Sequence, residues 1–513
     1  MAELSPNPSL AVSLFSHLLF SVPAMRTLFH SILTLALLFA GFSIRAADPQ
    51  ESDYYAIKTF VTPQETAMEV SAIELLPDNK LALGTRRGEI WIVSGAHGDD
   101  IEQASFQRFA AGQHEIMGLC WRDGWLYATN RYEVLRIRDE DGDGRGDAFE
   151  TICDKWGVSG DYHEYAFGSR FDKEGNIWVV LCLTGSFNSN IDFRGWAVRV
   201  NSKGEMIPTC SGIRSPGGIG FGADGDVYYT DNQGPWHGAC TLQHLIPGTF
   251  QGHPGGFKWY EKAPNMGPKP VEPNDKSRMV TERARVKELV PPVVYMVHGK
   301  IGNSSSGFAA DTTGGKFGPF EKQLFIADQS HSNLSRVFIE EVNGIQQGVV
   351  FPFRKGFGSG PIGVRLGDDG KLFIGGSDRG WGAKGGKPFA FERLEWTGKV
   401  PFEVHAMRAK SDGFELTFTE PVDPATAGNV ASYSMREFTY IYQAQYGSPE
   451  VDDVLPKITA AIVSADGKSV HLKIDTLTKG HIHELHLDGV RSASGLPLLH
   501  QEAYYTLNEI PSK

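Results

Sequence analysis

The sequence predicts an all-β protein, a six-bladed β-propeller followed by an immunoglobulin-like β-sandwich. Three observations carry that expectation: the composition, a strand-turn-strand unit that recurs along the chain, and a change of pattern near Thr397. Among 513 residues there are 59 glycines, 31 phenylalanines, 16 tyrosines and 10 tryptophans, which suits many short strands joined by tight turns. With 41% apolar and 21% charged residues the chain reads as globular. A net charge of -12 without a basic run excludes a nucleic-acid-binding protein.

The clearest copy of the unit is Arg214–Trp236, reading R-S-P-G-G-I-G-F-G-A-D-G-D-V-Y-Y-T-D-N-Q-G-P-W. A strand ends at Phe221, the chain turns at Ala223-Asp224-Gly225, and a second strand from Val227 runs into a polar tip. Related copies begin at Met68, Gly118, Phe167, Ser306 and Gly363. The period is roughly fifty residues, the range of propeller blades. Each small sheet cannot bury its faces alone, so radial packing is the stable solution. The propeller is expected over 48–398, with a Pro- and Gly-rich insertion, 237–302, between blades four and five. A segment of that kind is a lid over a site or packing between blades.

Beyond Thr397 the strands alternate apolar and polar residues with turns at Ser411-Asp412-Gly413 and Ala465-Asp466-Gly467, which predicts a β-sandwich over 401–513 used for packing or adhesion. At the other end, Met25-Arg26, the apolar run Leu35–Ala40 and Ile44-Arg45-Ala46-Ala47 follow the order of a secretory signal. Residues 1–47 are therefore expected to be a signal peptide, with Met25 an alternative start and an uncleaved membrane anchor the alternative reading, and the mature protein to be periplasmic or extracellular with no transmembrane domain. Five cysteines allow at most two disulfides, and buried free thiols are the plainer reading.

Two places could carry chemistry. Asp139-Glu140-Asp141-Gly142-Asp143-Gly144-Arg145-Gly146-Asp147-Ala148-Phe149-Glu150 satisfies a calcium-loop pattern, with Asp139, Asp141, Asp143, the Arg145 position, Asp147 and Glu150 as candidate Ca²⁺ ligands. Its flanks read as strand, so a calcium-stabilised turn between blades is expected, with a solvated acidic turn as the alternative. His163 and Arg214 precede the first strands of adjacent blades, where they could serve as general base and as a clamp for developing negative charge. The alternative for His163 is a structural histidine. Asp231, Asn232, Asp328, Gln329, Ser377 and Asp378 end equivalent second strands and would line the same mouth or its opposite rim. Gly217–Gly222 is not a dinucleotide loop, because it leads from strand to strand with no helix to hold a pyrophosphate. His481, His483 and His486 fit an alternating strand better than a metal site.

The segments His163–Val180 and Gly212–Trp236, with the six-fold repeat, resemble the glucose/sorbosone dehydrogenase propeller family. That resemblance implies His163 as the catalytic base and Arg214 as the residue contacting quinone and substrate. It further implies that Gln233-Gly234-Pro235 is the cofactor-binding turn, whose Gly234 and Pro235 carbonyls hold Ca²⁺ under pyrroloquinoline quinone, and that Arg379 is a candidate partner for the quinone's carboxylates. Tyr162 stands where the family has an acidic residue, with Asp161 one position earlier, and Ser215 replaces an asparagine. The D-R-G-W-G run at 378–382 and W-T-G-K-V-P-F-E-V from Trp396 are similar to exported planctomycete and verrucomicrobial proteins of this kind, here without their haem domain.

The expected function is an exported sugar-acting enzyme, an oxidoreductase in which His163 abstracts a hydroxyl proton, hydride passes to the quinone and electrons leave to a separate carrier protein. Alternatives are a non-catalytic propeller binding glycan or protein, with an adhesion sandwich, and a cofactor-free sugar lyase or hydrolase.

Overall fold

The structure is a computed structural model that describes residues 48–378, 380 and 382–512. The expected signal peptide and Arg379 lie outside the described residues. Short strands with buried, alternating side chains pair as antiparallel hairpins. Tight turns close them, as at Asp172–Gly175, where Gly175 takes φ +85° and the Asp172 carboxylate accepts the amides of Glu174 and Asn176.

Six such sheets are present in the propeller region. Their first strands are Val70–Leu76, Gly118–Arg122, Ala166–Phe171, Pro216–Phe221, Ser305–Ala310 and Pro361–Leu366. Each contacts the next, and Pro361–Leu366 returns to Val70–Leu76, so the sheets close into a ring of six blades. The axis is tight enough to require glycine. A Cβ on Gly218 would lie 2.7 Å from Gly307 Cα, and one on Gly307 would lie 2.3 Å from the Ile362 carbonyl oxygen. The sixth blade takes its outer strand from the start of the chain: Tyr55–Thr59 pairs antiparallel with Phe389–Trp396, Tyr55 opposite Trp396.

Two expectations about organisation are corrected. The insertion expected at 237–302, between blades four and five, lies inside blade four: Cys240–His244 and Val294–Met296 pair as that blade's third and fourth strands, Leu242 opposite Val294. The proline-rich stretch reads as a break, but the apolar run Val293–Val297 closes the sheet. Of lid and packing, the intervening segment does the second. Its Phe250, Phe257, Tyr260, Val286 and Leu289 are buried in one core with Trp156, Trp196 and Cys153 of the neighbouring blades.

The region expected as a sandwich over 401–513 is joined to the propeller. Glu502–Leu507 pairs with Ile345–Lys355, the last strand of blade five, in one eight-stranded sheet that continues through His481–His486 and Ser434–Tyr440 to Glu450–Val454. A second sheet, Val404–Lys410, Gly413–Phe418, Ser469–Ile474 and Ile458–Val463, shares a core with it through Phe414, Leu416, Leu472, Leu485 and Tyr505. All five cysteines are buried free thiols. His483 is buried with Nε2 2.8 Å from Glu437.

Candidate active site

The loop that carries His163 is fixed by two buried arginines. Arg131 donates to the Asp161 and Tyr162 carbonyls at 2.6 and 2.7 Å and pairs with Glu115 at 2.7 Å. Arg194 donates to the carbonyls of Gly157, Glu164, Tyr165 and Arg131. The buried Glu164 carboxylate accepts from Ser159 and Thr184. Burying charged groups is favourable only when their hydrogen bonds are complete, so this network sets the loop's backbone firmly.

Half-buried, the His163 ring places Nδ1 3.8 Å from the Asp161 carboxylate. Asp161 also accepts the amides of His163 and Gly185, and these bonds, against the effect of burial, hold its carboxyl below the usual range. The acidic partner of the histidine thus comes from one position earlier than the family pattern, reaching back over its own turn. Burial pushes the His163 imidazole below its ordinary 6.5; Asp161 opposes the shift, and the guanidiniums of Arg214 and Arg131 add to it. A neutral imidazole beside a carboxylate can accept a proton near neutral pH.

Arg214 enters from the next blade. The buried carboxylate of Asp231 accepts the amides of Arg214 and Ser215 at 2.9 and 2.7 Å. Asp328 does the same for Asn303 and Ser304 one blade on. These second-strand carboxylates therefore cap loops, while Asn232 and Gln329 line the cavity. The guanidinium lies beside Tyr446 and Phe187, 5.2 and 6.0 Å from their ring centres, and its Nη1 donates to the Asn232 and Gln233 carbonyls.

His163 and Arg214 line one cavity of about 510 Å³ at one end of the central channel, together with Arg86, Asn232, Gln233, Gln329 and Tyr446. Tyr446 arrives from the loop between Ser434–Tyr440 and Glu450–Val454, far from Arg214 in sequence, and is pinned by a bridge with Pro235 and by Trp236 N–H donating to the Gln443 carbonyl at 2.6 Å. Sequence reasoning missed Tyr446, Phe187, Arg131 and Arg194. Only the exposure of two aromatic rings beside a polar site marks the first two, and that is a structural signal.

The calcium–quinone pair expected at Gln233-Gly234-Pro235 meets a Gly234 carbonyl that is not free. The Gly234 carbonyl already accepts the amides of His237 and Gly447 at 3.0 and 3.1 Å. The Gln233 carbonyl accepts Arg214 at 2.6 Å, and a Cβ on Gly234 would lie 2.0 Å from the guanidinium carbon. Of the two carbonyls expected to hold calcium, that of Gly234 is therefore already engaged.

The acidic turn is separate from this cavity. Asp139, Asp141 and Asp147 bring carboxylate oxygens within 4.8 Å of one another. Asp143 accepts the Arg145 amide, and Glu150 lies in the strand Ala148–Cys153 and pairs with Arg136 at 2.5 Å, so it does not join the three. The Asp139 carboxylate accepts the amides of Gly142 and Gly144, which helps to hold the turn.

No protein-family model matches the chain, and no curated protein matches it. Solved structures follow a similar chain course at low identity. One titled a putative oxidoreductase (glucose dehydrogenase) from Thermus thermophilus is 18% identical over 66% of this chain and 99% of its own, with a TM-score of 0.49. An aldose sugar dehydrogenase from Streptomyces coelicolor, bound to pyrroloquinoline quinone, is 15% identical over 68% of this chain and 100% of its own, at 0.45. The quinone domain of a pyranose dehydrogenase from Coprinopsis cinerea is 11% identical over 68% and 99%, also at 0.45. At this level the similarity assigns the chain no activity.

Proposed function

We propose that the protein is an exported enzyme acting on a sugar or a similar small polyhydroxylated compound, with His163 as the base that takes a hydroxyl proton. Arg214 faces the oxygen left behind. The observation that carries this reading is the shared cavity: an imidazole held neutral beside Asp161 and a guanidinium from the next blade face the same space of about 510 Å³, the size of a small-ligand site. The reaction class assigned is oxidation, in which the proton goes to His163, the same carbon loses hydride to a diffusible quinone-class acceptor that is reduced to the quinol, and electrons pass on to a separate carrier. The motif resemblance around His163 and Arg214 supports that class. Calcium and quinone on the Gly234 carbonyl form no part of it.

A cofactor-free lyase or hydrolase is the second reading, favoured by the amides that engage the Gly234 carbonyl expected to hold calcium. Purified protein is incubated with a sugar panel and a soluble electron-accepting dye, with and without added calcium and pyrroloquinoline quinone, and products are weighed by mass spectrometry. Dye reduction with loss of H₂ from the sugar, abolished in His163→Asn, is the expected result. Elimination or addition of water without dye reduction identifies the second reading. Sugar binding without any product leaves a glycan-binding propeller and ends the catalytic proposal.

A further inference from the structure

We infer that the His163 cavity is one half of a longer cleft, and that the substrate is an oligosaccharide chain lying across the base rather than a free monosaccharide. The inference rests on the sugar-acting reading above and adds the substrate class.

A second basin of about 780 Å³ adjoins the cavity, lined by Gln113, His114, Tyr132, Ser159 and Tyr162, and the two share Arg86. Arg86 lines both, with Tyr165 on the cavity side and Tyr162 on the basin side. The Arg86 guanidinium donates to the Tyr162 and Tyr165 hydroxyls at 3.1 and 3.0 Å. Tyr162 borders the basin while His163, next in the chain, borders the cavity, with the two rings 5.2 Å apart. The base therefore stands at the junction and not at a closed end. Cavities that enclose a whole drug-sized ligand measure roughly 300–1,000 Å³, so either space alone would accommodate a monosaccharide. The two together call for something longer.

The chemistry of the walls selects a glycan. Phe187 and Tyr446, 51% and 56% exposed with rings 6.3 Å apart, edge the cavity, while Tyr132 and Tyr162, 38% and 36% exposed, edge the basin. Large rings left in water on both sides of one catalytic group are unlike scattered surface apolar residues. The negative face of an aromatic ring suits the C–H face of a pyranose. Gln113 and Ser159 supply partners for hydroxyls. Arg86 and Arg131 both pair with Glu115, at 3.5 and 2.7 Å.

The test titrates the full chain with ladders of glucose, xylose, mannose and N-acetylglucosamine oligomers, from monosaccharide to hexasaccharide, and follows turnover on the same ladders. In at least one series affinity rises by about tenfold with length, the gain expected of one or two ring stacks. Tyr132→Ala and Tyr446→Ala flatten the rise, and Tyr132→Phe restores it. Affinity that is flat with length or absent in every series, or a rise that survives both alanine variants, overturns the inference. His163-dependent turnover with no length dependence sinks the cleft and keeps the catalytic reading. Length-dependent binding with turnover indifferent to His163→Asn sinks the catalytic reading and keeps the cleft.

Discussion

His163 is held beside one carboxylate and under the influence of two guanidiniums, and the balance determines how it titrates. Burial, Arg214 and Arg131 all lower its pKa, so the acid limb of kcat/KM is expected below the ordinary 6.5, with activity lost as pH falls through that limb. His163→Asn is expected to reduce turnover by about 10²–10⁴-fold and to remove the limb, read from a pH–rate profile. Both His163 and Arg214 were legible as a pair, because the repeat places them at the same end of adjacent blades. Asp161 was harder to assign, since a carboxylate two residues away reaches the ring only when the turn curls back. Tyr446 left no trace at all: its place over Arg214 depends on a loop folding across from the far end of the chain.

At the scale of the element, the loop before Ala166–Phe171 is held by Arg131 and Arg194 donating to backbone carbonyls, a form of support that no side-chain motif records. Arg131→Met leaves the buried Glu115 without its nearest partner and is expected to cost roughly 3–5 kcal/mol, measured by urea unfolding followed by tryptophan fluorescence. Glycines on the inner strands serve a different need. A Cβ at Gly218 meets the backbone of the next blade, so Gly218→Ala is expected to destabilise by about 1–3 kcal/mol in the same experiment. The strands themselves were readable from alternation and turn residues. The misplaced insertion shows the boundary of that reading, because proline density looks like a break even where Val294–Met296 completes a sheet.

For the whole molecule, the ring was readable because a repeated half-buried sheet has few ways to bury itself, whereas the continuity of blade five with the C-terminal strands depends on an edge pairing between residues with no distinguishing pattern. One buried contact ties the ends of this assembly together. His500 lies between Glu403 and Glu51, with Nδ1 and Nε2 at 2.5 and 3.1 Å. Burial alone would lower its pKa, but the two carboxylates outweigh it and hold the imidazole up at about 9. A raised folded pKa means the contribution is complete below the ordinary 6.5 and is lost as pH rises through about 9. The melting temperature of the protein is therefore expected to drop across that window, and the part of the drop due to this group to vanish in His500→Gln. Glu51 opens the helical turn Glu51–Tyr54 that leads into the strand completing blade six, so this contact joins the circle's clasp to the terminal sheets. Early and late segments are sewn into a single seam, and a protease that nips either side of it would loosen the other.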